Sequence, residues 1–277
     1  MAEYLRRLAL VAFLAAGLPG CGDDDQAAII GPDLKSGPGR TYAIRPVTFP
    51  TTDGVEVSAL VGRGGTGEPR PAVILLHDLS GTKETWLTDT PLFVELLEQG
   101  YAVVALDLRG FGETPLPEGR QVPLVADLEV SFRDVQAAVV WLDGQSGIDP
   151  DRIGLVGIGS GANVAYVSAG ALAARIRTAV SISAGLWERT TLQPVVIGAG
   201  VVPFAPRSIL YIAGAEDALS TSGTVLSYAD LARALATTTT EPKSVFIVEG
   251  SDAHGIDLLN GAPEVLSSVL SWLDEQL

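Results

Sequence analysis

The chain has 277 residues, 47% of them hydrophobic, and its 18 basic and 33 acidic side chains give a formal net charge of −15. That balance excludes a nucleic-acid partner, because phosphate contacts need clustered Lys and Arg. One Cys and two His in the whole chain exclude an internal disulfide framework and the multi-Cys or His-rich kinds of metal centre, while a charged fraction of only 18% argues for a packed core rather than disorder.

Residues 1–21 begin Met1-Ala2-Glu3-Tyr4-Leu5-Arg6-Arg7, run apolar from Leu8 to Leu18, and end Pro19-Gly20-Cys21. A basic start, an apolar stretch of about ten residues and small residues at the end make a secretory signal, too short to span a bilayer as a stable anchor. Leu18-Pro19-Gly20-Cys21 resembles a bacterial lipobox, with Pro19 as its unusual member, and that resemblance implies that Cys21 becomes the acylated first residue of the mature protein. The plainer alternative is an ordinary signal peptide with an incidental Cys. The expected organisation is a signal peptide over 1–20, a lipidated Cys21 with a polar, Gly/Pro-containing tether over 21–40, and a folded domain over 41–277. The protein is thus expected to be exported and held on an envelope membrane by its lipid.

The pattern becomes regular at Thr41. Tyr42–Thr48 and Val55–Val61 are β-type runs around Thr51-Thr52-Asp53-Gly54, which predicts an antiparallel hairpin. Ala72–Leu76 is continuously apolar, as in a strand covered on both faces. A helix over 91–99, stopped by Gly100, precedes a strand over 101–106. Apolar residues at helical spacing predict one helix over 125–142. A strand over 153–156, a Gly-rich turn and a small-residue helix over 162–174 follow. Strands are expected over 178–183 and 208–213, a helix over 224–236, a surface loop at Thr237–Thr240, a last strand over 244–248 and a closing helix over 263–275. A hairpin followed by repeated βα units implies an α/β fold: a mostly parallel, twisted sheet with helices on both faces.

In such sheets ligands bind at the carboxyl ends of the strands. Those ends read His77-Asp78-Leu79-Ser80-Gly81, Asp107-Leu108-Arg109-Gly110-Phe111-Gly112, Gly157-Ile158-Gly159-Ser160-Gly161, Gly214-Ala215-Glu216-Asp217 and Ser251-Asp252-Ala253-His254-Gly255. In the order and spacing of these motifs the chain, from Tyr42 onward, resembles the α/β-hydrolase superfamily. It is most similar to the dienelactone-hydrolase-like and serine-aminopeptidase-like branch, with little or no lid. The resemblance implies ester or acyl-bond hydrolysis, with Asp217 as the triad acid and His254 as the base. An oxyanion hole would be formed by the amides of Leu79 and Ser160. In that chemistry an imidazole takes the proton of a weakly nucleophilic hydroxyl, a carboxylate orients the imidazole, and amides stabilise the oxyanion.

The turn that should read G-x-S-x-G carries Gly159 at the nucleophile position. Three readings follow. Gly159 abolishes covalent catalysis and leaves an impaired hydrolase or a ligand- or protein-binding module of the envelope; or Ser160, displaced by one residue, attacks with His254 and Asp217; or the turn is a phosphate cradle of the dinucleotide type. The last lacks its acidic ribose partner after the next strand, Ile182-Ser183-Ala184, so no cofactor and no metal is expected. The first reading is preferred, with a small acyl- or ester-type molecule as the ligand. Asp217 and His254 also have plain readings, as a helix cap near Thr221 and an ordinary loop histidine. Asp107 and Arg109 read as a structural turn and ion pair.

Overall fold

The computed structural model describes residues 35–36, 40–63, 69–120, 122–187, 190–191, 204–221 and 224–277; the signal region and Cys21 lie outside the described residues. Eight strands form the main sheet: β1 (Ala43–Pro50), β2 (Glu56–Arg63), β3 (Arg70–Leu76), β4 (Ala102–Leu106), β5 (Ile148–Ile158), β6 (Thr178–Ile182), β7 (Arg207–Gly214) and β8 (Thr240–Val248). They lie in the order β8-β7-β6-β5-β3-β4-β2-β1. The first two strands are antiparallel, β2 runs antiparallel to β4, and the remaining pairs are parallel. The turn between β1 and β2 is built by its own side chains: Thr51 Oγ1 donates to Asp53 at 2.6 Å and accepts from the Val55 N–H at 2.9 Å, with Gly54 at φ +82°.

The helices are α1 (Thr85–Thr88), α2 (Leu92–Glu98), α3 (Val125–Glu129), α4 (Phe132–Asp143), α5 (Ser160–Ala171), α6 (Tyr228–Thr238), α7 (Ile256–Gly261) and α8 (Pro263–Gln276). The apolar run of β3 is buried on both faces because its side chains alternate between two cores. Ala72, Ile74 and Leu76 join the core under α4, α5 and α6, whereas Val73 and Leu75 join the core under α2 and α8. This is an α/β-hydrolase fold, with its N-terminal antiparallel hairpin and helices on both faces of the sheet.

Three expected elements differ. The single helix over 125–142 is two, because the chain leaves helical geometry at Val130 (φ −99°, ψ 3°) and Ser131 Oγ donates to the Asp127 carbonyl at 3.0 Å. At the start of α3 Asp127 accepts from the Leu124 N–H at 2.7 Å and pairs with Arg120, while Asp134 in α4 pairs with Arg109. The helix expected from residue 224 starts at Tyr228 instead. Thr224–Ser227 pairs with Ala218–Thr221 as a small antiparallel hairpin, and Ser227 Oγ caps the helix by accepting from the Asp230 N–H. Thr237–Thr240, expected as a loop, closes α6 and opens β8.

The turn after β4 is tied down by buried charge. Lys83 Nζ contacts Asp107 at 2.6 Å and Glu113 at 3.0 Å. Arg109, 1% exposed, forks onto Asp134 at 2.7–3.2 Å and reaches Asp53 of the hairpin turn at 2.8 Å. Burial works against the guanidinium charge, but the hydrogen bonds it donates to Asp53 and Asp134 outweigh it and raise its pKa above the ordinary value. Arg109 therefore staples hairpin, turn and α4 together beside the carboxyl ends of the strands.

Candidate active site

Strand β5 passes to helix α5 through Gly159, at φ 52° and ψ −117°. Backbone packs tightly on either side of that turn. A Cβ on Gly157 would stand 2.2 Å from the Gly161 carbonyl oxygen, and one on Gly161 would stand 2.1 Å from that of Leu76. The small residues flanking the turn are thus a steric demand of the crossing between β3, β5 and α5. Gly159 donates its N–H to Ile182 O at 2.9 Å. A Cβ at position 159 would meet Asp78 Cγ and Oδ1 at 2.4 Å and Oδ2 at 2.7 Å. The same carboxylate accepts the Ser160 N–H on Oδ1 at 2.7 Å. Ser160 itself is 8% exposed, and its Oγ is buried with no hydrogen-bond partner among the described residues.

His254 follows β8, and Asp217 follows β7. Asp217 is 5% exposed, and its carboxylate receives His254 Nδ1 at 2.9 and 3.2 Å. With the Nδ1–H given to Asp217, Nε2 is the ring atom left to accept a proton. The imidazole is set from several sides. Tyr228 packs edge-on at 4.6 Å between ring centroids, and the Tyr228 N–H holds the Asp217 carbonyl at 3.0 Å. Ser183 Oγ accepts from the Gly255 N–H at 3.0 Å, from a backbone held at φ +57°. The histidine loop abuts the glycine turn: a Cβ on Gly255 would lie 3.7 Å from Gly159 N. Burial opposes the imidazolium, but the Asp217 hydrogen bond and charge, with the charges of Asp78 and Asp257, outweigh it and raise the pKa above 6.5.

His77 shapes the loop after β3. The Leu108 N–H donates to Nε2 at 3.1 Å, so the other nitrogen carries the proton and donates to Asp78 O at 2.7 Å. Burial holds this ring's pKa below 6.5 against the pull of the Asp78 carbonyl and the Asp107 charge. In a trans peptide the C=O and the next N–H point in opposite directions. Fixing Asp78 O on His77 therefore turns the Leu79 N–H away from the imidazole. Leu79 is 53% exposed. Leu79, Gly159, Ser160 and His254 line one cavity of about 490 Å³ with Asp78 and Ser183, and Phe111, Leu124, Leu128 and Leu219 give it apolar lining. That size and lining suit a small, largely apolar molecule. Among the described residues no group of three or more His, Cys, Asp or Glu is gathered as a metal site.

The tertiary structure thus joins His254 to Asp217 and brings Gly159, Ser160 and Leu79 to the same cavity. Asp107 and Arg109 sit in the buried ion pairs of the turn, and Cys21 lies outside the described residues. Sequence reasoning passed over Asp78 as part of its loop. A carboxylate beside a glycine-only turn was the signal available, but nothing in the order of residues shows that the two positions face each other.

A central strand handing over to a helix through this turn, with a His–Asp pair delivered by the loops after the last strands, defines a hydrolase-type α/β site. The profile of the Alpha/beta hydrolase family matches residues 73–270, and the chain belongs to that family. Thiohydrolase aneE of Aspergillus aculeatus is 32% identical over 145 residues, which are 52% of this chain and 42% of that protein. An uncharacterized 31.7 kDa protein from the traX-finO intergenic region of Escherichia coli is 31% identical over 131 residues, 47% of this chain and 42% of that protein. The match spans well under half the length of these curated relatives. Among solved structures, the Pyrococcus furiosus esterase Pf2001 superposes with a TM-score of 0.63 over 85% of this chain and 93% of that one, at 19% identity, a likeness of fold.

Proposed function

We propose that this α/β hydrolase is an exported, lipid-anchored protein in which serine acyl transfer is disabled, and whose cavity receives a small acyl- or ester-type ligand. The observation that carries the reading is the pairing of Gly159 with Asp78. Gly159 stands at the tip of the turn where the family's nucleophile is expected. The space a side chain there would enter holds the Asp78 carboxylate, which also takes the Ser160 amide at 2.7 Å. Acyl transfer needs a hydroxyl beside the imidazole and two free amides for the oxyanion; here Gly159 supplies no hydroxyl, and one of the two amides, that of Ser160, is taken by Asp78. Ser160 Oγ is buried and makes no hydrogen bond to His254 or to any other described residue, so it is not poised as the attacking group. Export and lipidation rest on the leader and on Leu18-Pro19-Gly20-Cys21.

Detergent-solubilised full chain treated with a fluorophosphonate probe is expected to remain unlabelled, and the double variant Asp78→Gly/Gly159→Ser to gain labelling. Wild-type labelling that disappears in Ser160→Ala would overturn the reading. Cys21→Ala is expected to release the protein from the membrane fraction; unchanged membrane association refutes the anchor. Ligands bound without turnover are expected to raise the melting temperature in proportion to the logarithm of their concentration at saturation.

A further inference from the structure

The cavity beside the glycine turn carries a negative charge that nothing around it answers. Asp78 Oδ1 is satisfied by the Ser160 N–H at 2.7 Å, while Oδ2 takes no hydrogen bond and the carboxylate forms no ion pair among the described residues. No Lys or Arg stands among the described residues that line the cavity. His254 is the lining group that can take up a proton near neutral pH, and its Nδ1 is already committed to Asp217. A partly buried carboxylate with one open oxygen and no cation beside it bears a desolvation cost that an incoming positive charge relieves. We propose that the ligand of this cavity carries a protonated amine that donates to Asp78 Oδ2, and that its class is small esters or amides with an ammonium-bearing chain. The inference rests on the proposed binding of a small acyl-type ligand here, and adds the charge which that ligand must carry.

The surroundings select an ammonium over other ions. A metal ion needs several donors, and among the described residues no group of three or more His, Cys, Asp or Glu is gathered. One open carboxylate oxygen is enough for an N–H of an ammonium. The local field has the same preference. Burial raises the Tyr228 hydroxyl above its usual value of 10, and the charges of Asp217 and Asp78 raise it further. Both charges also favour the protonated His254 ring against its burial, and the chain as a whole is at −15, so cations are drawn to this site and anions repelled. Phe111 and Tyr228 bring two aromatic rings to the cavity, and a cation within about 6 Å of such a ring gains further attraction. Leu124, Leu128 and Leu219 cover the apolar part of the ligand. A free carboxylate, by contrast, would meet Asp78 with like charge and find the Ser160 amide already taken.

The test is calorimetric titration of the full chain with 1-butylamine, 1-butanol and butanoate at neutral pH, where the amine is protonated. Wild type is expected to bind butylammonium about tenfold or more tightly than 1-butanol, and butanoate more weakly than either. In Asp78→Asn, whose Oδ1 still accepts the Ser160 N–H, the preference for the amine is expected to vanish. Asp217→Asn removes a neighbouring negative charge but leaves Asp78, and is expected to keep the preference. Equal affinities for amine and alcohol in wild type overturn the inference whether or not the variants fold. A preference that survives in a folded Asp78→Asn, or that is lost equally in Asp217→Asn, overturns it as well. Fluorophosphonate labelling of wild type bears on the disabled-serine reading alone, whatever the amine does, so the two failures are separable.

Discussion

Placing a serine at position 159 alone is expected to injure the protein rather than restore a hydrolase, and the cost can be worked from the structure. A Cβ there would stand 2.4 Å from Asp78 Cγ and Oδ1, whereas real Cβ atoms essentially never come closer than 3.0 Å to such neighbours. Asp78 must retreat by at least about 0.6 Å, the difference between those distances. Its 2.7 Å bond to the Ser160 N–H is lost or badly stretched, which costs about 1.5–3 kcal/mol for a bond to a charged acceptor. The left-handed backbone at φ 52° adds about 1–3 kcal/mol for a residue with a side chain. In an Asp78→Gly background only the backbone strain remains. Gly159→Ser should therefore cost about 1.5–3 kcal/mol more in the wild-type background than beside Asp78→Gly. Equilibrium urea unfolding of the four proteins of this double-mutant cycle measures the difference directly. Costs that agree within about 0.5 kcal/mol in the two backgrounds would show that Asp78 does not occupy the space of the missing side chain, and would remove the basis of both functional readings.

Gly161→Ala is expected to cost more than about 4 kcal/mol, since the new Cβ would meet the carbonyl oxygens of Leu76 and His77 at 2.1 and 2.5 Å; a soluble variant with a near-native melting temperature would contradict the packing described. Arg109→Met should cost about 3–5 kcal/mol by stranding the fully buried Asp134 carboxylate, and Arg109→Met/Asp134→Leu should regain a substantial part of it in denaturant titrations; no regain would mean that the ion pair is not the source of the loss. The raised pKa of His254 fixes a sign for pH dependence. Folding favours its protonated form, so this contribution to stability is complete below the unfolded value of 6.5 and is lost as pH rises through the raised folded value. The stability difference between wild type and His254→Gln should accordingly shrink from pH about 5.5 to pH about 9, and a difference that is constant or grows with pH would refute the Asp217 pairing as its cause.

Much of the fold was legible because local chemistry and global packing agree. Thr51, Asp53 and Gly54 make a turn from their own side chains, and the apolar run Ala72–Leu76 is what a strand between two helical layers requires. Less was legible where tertiary contacts override local pattern. Residues 125–142 keep helical spacing across Val130 and Ser131, yet the chain breaks there so that Asp127 and Asp134 reach different arginines. Thr224–Ser227 pairs as a strand although its residues continue a helical pattern.

For the site, the sequence by itself determined the inventory: a glycine-flanked turn without a serine at its tip, and an acid and a histidine after late strands. Those are properties of residue type and order, which the chain carries whatever its shape. Only the tertiary structure decided that Asp217 and His254 meet at 2.9 Å and that Asp78, from a loop 81 positions away, fills the space beside Gly159. That juxtaposition exists because β3 and β5 are parallel neighbours whose carboxyl ends open on one side of the sheet, and side-chain reach across two strands is set by pairing and register, which residue order does not express.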